Sequence, residues 1–118
     1  GKGAVLSSSM ITEGCEIYGT VENSVIFSGV RIAPGAVVRD SVIMRDVTIE
    51  EGAVVEYSII DSNVSIGKDA KVGAPKDNAD GIAVVGGDLE IPEGMKVAGG
   101  LMVNQSKLEE LLAAKEEN

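Results

Sequence analysis

Three arginines, Arg31, Arg39 and Arg45, lie between positions 31 and 45 and are the side chains best suited to grip a phosphate or carboxylate through a fork of N–H donors. Histidine is absent from the whole chain. With it go the commonest general base near neutral pH and the commonest nitrogen ligand for zinc. The single cysteine, Cys15, cannot close an internal disulfide, which fits a reducing compartment. Gly86-Gly87 and Gly99-Gly100 sit in neither a P-loop nor a dinucleotide fingerprint and read as corners. Carboxylates are plentiful, but no pair has a reason to be catalytic. Neither a catalytic nor a metal-binding residue is expected in this chain.

The 19 acidic against 10 basic residues leave a net charge of -9, which repels a phosphate backbone, so nucleic acid is not an expected partner. Residues 1–45 are balanced, Lys2 and the three arginines standing against Glu13, Glu16, Glu22 and Asp40, so the excess acid all follows. No apolar run approaches the ~18 residues that span a bilayer, and no basic-then-apolar leader opens the chain. No membrane partner is expected, and the location expected is cytoplasmic. The chain starts at Gly1 rather than Met, and Val5-Leu6 already reads as strand, so a piece of a longer protein is expected.

These side chains must be positioned by something, and composition says what kind of scaffold. Apolar residues make up 44% of the 118, yet aromatics only 3%, with no tryptophan. A core of thin aliphatic layers is filled in this way, whereas an irregular centre uses large rings. The layers can be counted. Ile11, Ile26, Ile43 and Ile60 form one column, Ile17, Ile32, Ile49 and Ile66 a second, and Val21, Val38, Val55 and Val72 a third, with 17 residues to a coil after a first coil two residues short between Ile17 and Val21. Cys15, Val30, Val47 and Val64 supply a second inward column, and Ala36, Ala53 and Ala70 another. Before these stand Gly14, Gly29, Asp46 and Asn63, and Gly35, Gly52 and Asp69, types that tolerate positive φ at a corner. At the shorter step the corner carries Ser24, Ser41 and Ser58, expected as a hydroxyl ladder that Ser9 extends.

Three short faces with a tight corner after each make a triangular prism: an all-β fold, a left-handed parallel β-helix of hexapeptide-type repeats over residues 1–104. The register breaks at 74–81, a polar surface loop, and resumes with Val85, Ile91, Val97 and Val103 for one further coil. Asp88, Gly94 and Gly100 are its corners, and Leu89, Met95 and Leu101 point inward. Residues 105–118 are a C-terminal amphipathic helix and tail. The helix is expected over 107–116, with Ser106 and Glu109 as a capping box and Leu108, Leu111 and Leu112 against the last coil.

The columns also place the chemistry. Arg39 stacks between Glu22 and Glu56, and Arg31 between Glu16 and Thr48, which favours surface ion pairs for both. Arg45 stacks between Ser28 and Ser62 with no acid in its column. Two readings stay open for it, an external phosphate or sulfate and a bond to Asp46. Arg45, with Arg39 second, is the candidate effector-phosphate site. Phe27 and Met44 share an outward column and are a candidate interface. Cys15, stacked over Val30, reads as core. On this scaffold acyltransferases use a histidine base and carbonic anhydrases bind zinc through histidines, so both activities are excluded for this chain.

The stretch Glu13-Gly14-Cys15-Glu16-Ile17-Tyr18-Gly19-Thr20-Val21-Glu22-Asn23-Ser24-Val25-Ile26-Phe27, followed by Gly35-Ala36-Val37-Val38-Arg39-Asp40-Ser41-Val42-Ile43-Met44, resembles the C-terminal β-helix domain of bacterial glucose-1-phosphate adenylyltransferase. The irregular first coil is its most specific part, and the match runs from about Ser8 to Val103. The resemblance implies a parent that makes ADP-glucose and pyrophosphate from ATP and glucose-1-phosphate in glycogen biosynthesis. Mg2+ and ATP belong to that family's nucleotidyltransferase domain, whose residues have no counterpart here. It also implies partners: that catalytic domain, further copies in a homotetramer, and an allosteric sugar-phosphate or phosphate effector. Some members place arginines near the positions of Glu56 and Tyr57, a departure in this sequence. Two alternatives stand beside it, the same domain of another sugar-nucleotide pyrophosphorylase and a free-standing, non-catalytic β-helix scaffold.

Overall fold

The computed structural model describes residues 5–116 and contains a parallel β-helix of three faces capped by one helix. Each of the first five coils contributes one short strand to each face. The first carries β1 (Val5–Ser7), β2 (Met10–Ile11) and β3 (Glu16–Ile17), and the second β4 (Thr20–Glu22), β5 (Val25–Ile26) and β6 (Arg31–Ile32). The third holds β7 (Val37–Arg39), β8 (Val42–Ile43) and β9 (Thr48–Ile49), and the fourth β10 (Val54–Glu56), β11 (Ser58–Ile60) and β12 (Ser65–Ile66). The fifth holds β13 (Lys71–Gly73), β14 (Ala83–Val85) and β15 (Glu90–Ile91), and the sixth β16 (Lys96–Val97) and β17 (Met102–Val103) before α1 (Gln105–Glu116).

Sheet one stacks β1-β4-β7-β10-β13-β16, sheet two runs from β2 to β17 through every third strand, and sheet three from β3 to β15. Every pairing is parallel. The inward columns run on past the loop: Val21, Val38, Val55, Val72 and Val97 in sheet one, Ile26, Ile43, Ile60, Val85 and Val103 in sheet two, and Ile17, Ile32, Ile49, Ile66 and Ile91 in sheet three. All these residues are buried. Because period-2 alternation turns one residue of each pair outward, strands of two or three residues suffice to commit one β-branched side chain to the core.

The corners expected from glycine, aspartate and asparagine carry positive φ throughout, from Gly14 and Asp46 to Asp88 and Gly100. The shorter corner is displaced by one residue from its serines. Its positive φ falls on Asn23, Asp40 and Tyr57, and Ser24, Ser41 and Ser58 lie just beyond, facing in. The hydroxyls do not bond one another. The Ser41 hydroxyl donates to the Arg39 carbonyl at 2.6 Å and accepts the Ser58 amide at 3.2 Å; Ser9 and Ser24 accept the Ser24 and Ser41 amides in the same way. Each hydroxyl thus closes a corner whose amides the strands cannot pair. Ser41→Ala should cost about 1–3 kcal/mol by leaving the buried Ser58 amide unsatisfied, the Arg39 carbonyl still accepting the Tyr57 amide at 2.9 Å. Urea denaturation checks this, with the outward-facing Ser65→Ala as a control expected to stay within about 0.5 kcal/mol.

The two departures from the 17-residue coil are both at corners. Between β3 and β4 the chain takes a shortcut at Gly19, where a Cβ would come 2.5 Å from the Ala36 carbonyl oxygen and 2.7 Å from that of Ala33. Between β13 and β14 it leaves as the expected loop, and Ala83 still pairs with Ser58. At the far end the helix begins earlier than expected and has a different cap. Asn104 Oδ1 accepts the Lys107 amide at 2.8 Å, so Asn104 is the N-cap and Ser106 is already helical. Glu109 instead accepts from Gln105 Nε2 at 3.0 Å. Leu108 is buried, and Leu111 and Leu112 pack against the core, closing the last layer. The expected tail beyond 116 lies outside the described residues.

Candidate functional site: a charged ladder and an apolar face

Parallel, in-register stacking lines up equivalent residues of successive coils about 4.8 Å apart, so each outward column acts as one surface. In sheet one the column Glu22, Arg39, Glu56 is a charge ladder. Arg39 Nε donates to Glu22 Oε1 at 2.7 Å, and its Nη1 lies 3.4 Å from Glu56 Oε2. The Glu22 hydrogen bond, against some desolvation, holds the Arg39 guanidinium above its ordinary pKa, with Glu56 adding to the effect. The Arg39 side chain is 46% exposed, so such pairs are worth only ~0–1 kcal/mol each. Its charge is already balanced by two carboxylates. Arg31 meets Glu16 at 3.7 Å in sheet three. Arg45 is exposed at the corner after sheet two and forms no ion pair among the described residues. The carboxylate of Asp46 lies instead over Gly29 in the preceding coil, where a Cβ would overlap it.

Phe27 and Met44 are half-buried beside the inward Ile26 and Ile43. They border a longer feature that sequence reasoning missed. The outward column of sheet two reads Met10, Val25, Val42, Ile59, Val84 and Met102, in register from the first coil to the last. Met10 and Met102 are 67% and 68% exposed. The signal lay in the dipeptides Val25-Ile26, Val42-Ile43 and Ile59-Ile60, apolar at both positions where the strands of sheet three, such as Glu16-Ile17 and Arg31-Ile32, pair an apolar residue with a polar one. Cys15 is half-buried and its thiol donates to the Phe27 carbonyl at 3.0 Å, a structural contact rather than a reactive setting. Among the described residues no three His, Cys, Asp or Glu side chains gather as a metal site, and no helix is long and apolar enough to cross a membrane.

Coil period, three parallel faces and positive-φ corners define a hexapeptide-repeat β-helix domain. Residues 1–87 match the family described as GlmU-like, C-terminal hexapeptide, and the chain belongs to that family. Among curated proteins it is similar to glucose-1-phosphate adenylyltransferase of Geobacillus stearothermophilus, 58% identical over 36 residues, which are 30% of this chain and 9% of that protein. It is likewise similar to the enzymes of the same name from Thermotoga neapolitana, 64% identical over 33 residues (28% of this chain, 8% of the other), and Pseudothermotoga lettingae, 71% identical over 31 residues (26% and 7%). Each match thus spans less than a tenth of the relative's length.

Proposed function

We propose that this chain is the assembly and regulatory domain of a cytoplasmic nucleotidyltransferase that joins ATP and glucose-1-phosphate into ADP-glucose and pyrophosphate for glycogen biosynthesis. The observation that supports assembly is the uninterrupted apolar column of sheet two, flanked by Phe27 and Met44, on a chain whose net charge of -9 would otherwise keep copies apart. The high local identity to adenylyltransferases supports the substrate assignment. Mg2+ and ATP would be held by a nucleotidyltransferase domain, which also packs against the β-helix. Arg45, the arginine without an ion-pair partner among the described residues, is the residue proposed to contact the phosphate of an effector; Arg39, on sheet one, is the second candidate and would be free to do so only if an anion displaces a glutamate.

Val42→Lys combined with Ile59→Lys in the whole gene product tests the assembly reading. The oligomer should dissociate, read as native mass, while the circular dichroism of the β-helix is unchanged. An unaltered native mass would remove sheet two from the interface. Assay of that gene product with ATP, GTP and dTTP against glucose-1-phosphate separates the adenylyltransferase from another sugar-nucleotide pyrophosphorylase, the second reading that the wider family description favours. A gene product with no nucleotidyltransferase activity would leave a non-catalytic scaffold.

A further inference from the structure

Lys71 and Lys96 are direct partners on β13 and β16, which sets two ammonium-bearing side chains on adjacent strands of sheet one. Like charges directly opposite one another in a sheet are destabilising. The other described strand pairings avoid this: Arg39 is flanked by two glutamates and Arg31 by one, and the rungs just before Lys71 in its own column are the uncharged Thr20, Val37 and Val54. Among the described residues neither lysine has an ion-pair partner, in a chain with 19 acids. The neighbouring column offers none either. It passes from Glu56, whose carboxylate is turned to Arg39, to Gly73, which has no side chain.

The two lysines line an open cleft of about 430 Å³ together with Gly73, Ala74, Ala98 and Gly99. One wall is the loop after β13, folded back so closely that a Cβ at Gly99 would lie 3.1 Å from the Ala79 Cβ and 3.4 Å from the Ala74 Cβ. No carboxylate and no aromatic ring lines it. Two point-like cations over a floor of small residues suit a doubly charged oxyanion, and the volume exceeds a bare ion and fits a small organic molecule attached to one. Nothing is present to stack a nucleobase.

We infer that this cleft binds a small phosphate ester, its phosphate bridging the Lys71 and Lys96 ammonium groups. The site is on a different face from Arg45 and stands independently of the adenylyltransferase assignment. It is tested on the 118-residue chain with inorganic phosphate and glycerol-3-phosphate, sodium chloride holding ionic strength constant. Saturable chemical-shift changes at the Ala98 and Gly99 amides are expected, tighter for the ester. Lys71→Gln and Lys96→Gln should each weaken binding by about tenfold, the loss of one charge-assisted contact, while Arg45→Ala leaves it unchanged. In chloride alone the single variants should melt no lower than the unsubstituted chain, since each relieves the like-charge contact. A shift reproduced by chloride alone, or one that survives both lysine substitutions, overturns the proposal.

Discussion

Gly73→Ala is expected to destabilise the chain by roughly 2–5 kcal/mol, the sum of about 1–2 for a left-handed non-glycine residue and about 1–3 for steric overpacking. Gly73 has φ +81°, and a Cβ there would overlap the Glu56 carbonyl oxygen and the Ser58 hydroxyl. Those two atoms are bonded to each other at 2.7 Å, the last rung of the serine ladder, so neither can withdraw without breaking the contact that closes the corner. Gly94→Ala isolates the conformational part: its φ is +73°, and nothing lies within 4 Å of the added carbon. Urea denaturation of both variants should show Gly73→Ala as the costlier by at least about 1 kcal/mol. Equal costs would mean that the ladder yields freely at this corner.

Ile49→Ala should cost about 2–5 kcal/mol, and Ile17→Ala distinctly less. Ile49 is 0% exposed and is sandwiched between Ile32 and Ile66; Ile17, 7% exposed, has a described column neighbour on one side only, Ile32. In a stack where each layer touches only its neighbours, truncation in the middle removes contacts to two layers and truncation at an end removes contacts to one. Denaturation midpoints of the two variants check the ordering. Equal losses would show that the coils are coupled beyond nearest neighbours.

The periodic parts of the molecule were legible because one physical requirement repeats. Each layer needs one β-branched residue per face and a residue tolerant of positive φ before the next, so the columns of isoleucine and valine and most corners could be counted from the sequence. Tyr57 was not legible as a corner. Asn23 and Asp40 precede it in that column with the expected chemistry, but an aromatic residue at φ +48° is held there by bonds from its own amide to the Arg39 carbonyl and from the Ala83 amide to its carbonyl. The helix start was misplaced because Ser106 with Glu109 matched the capping pattern, while Asn104, the stronger cap by position, stood at the end of the last strand. The surfaces were less legible than the core. Phe27 and Met44 were found as a pair, but the six-residue apolar column beside them emerges only when Met10 and Met102 are aligned across the short first coil and the long loop. Lys71 and Lys96 are 25 residues apart, and only the register set by that loop brings them together.

The short passage at Gly19 and the long one between β13 and β14 leave every sheet in alignment on either side. Insertions and deletions confined to a vertex are therefore silent to the layers, whereas one residue added within a strand would turn an isoleucine outward and shift every later column. Sequence length in a protein of this kind can drift at the edges of the prism while the faces stay fixed. The loop that walls the lysine cleft occupies such an edge, so ligand preference there could be rewritten without disturbing the apolar face by which copies are proposed to meet.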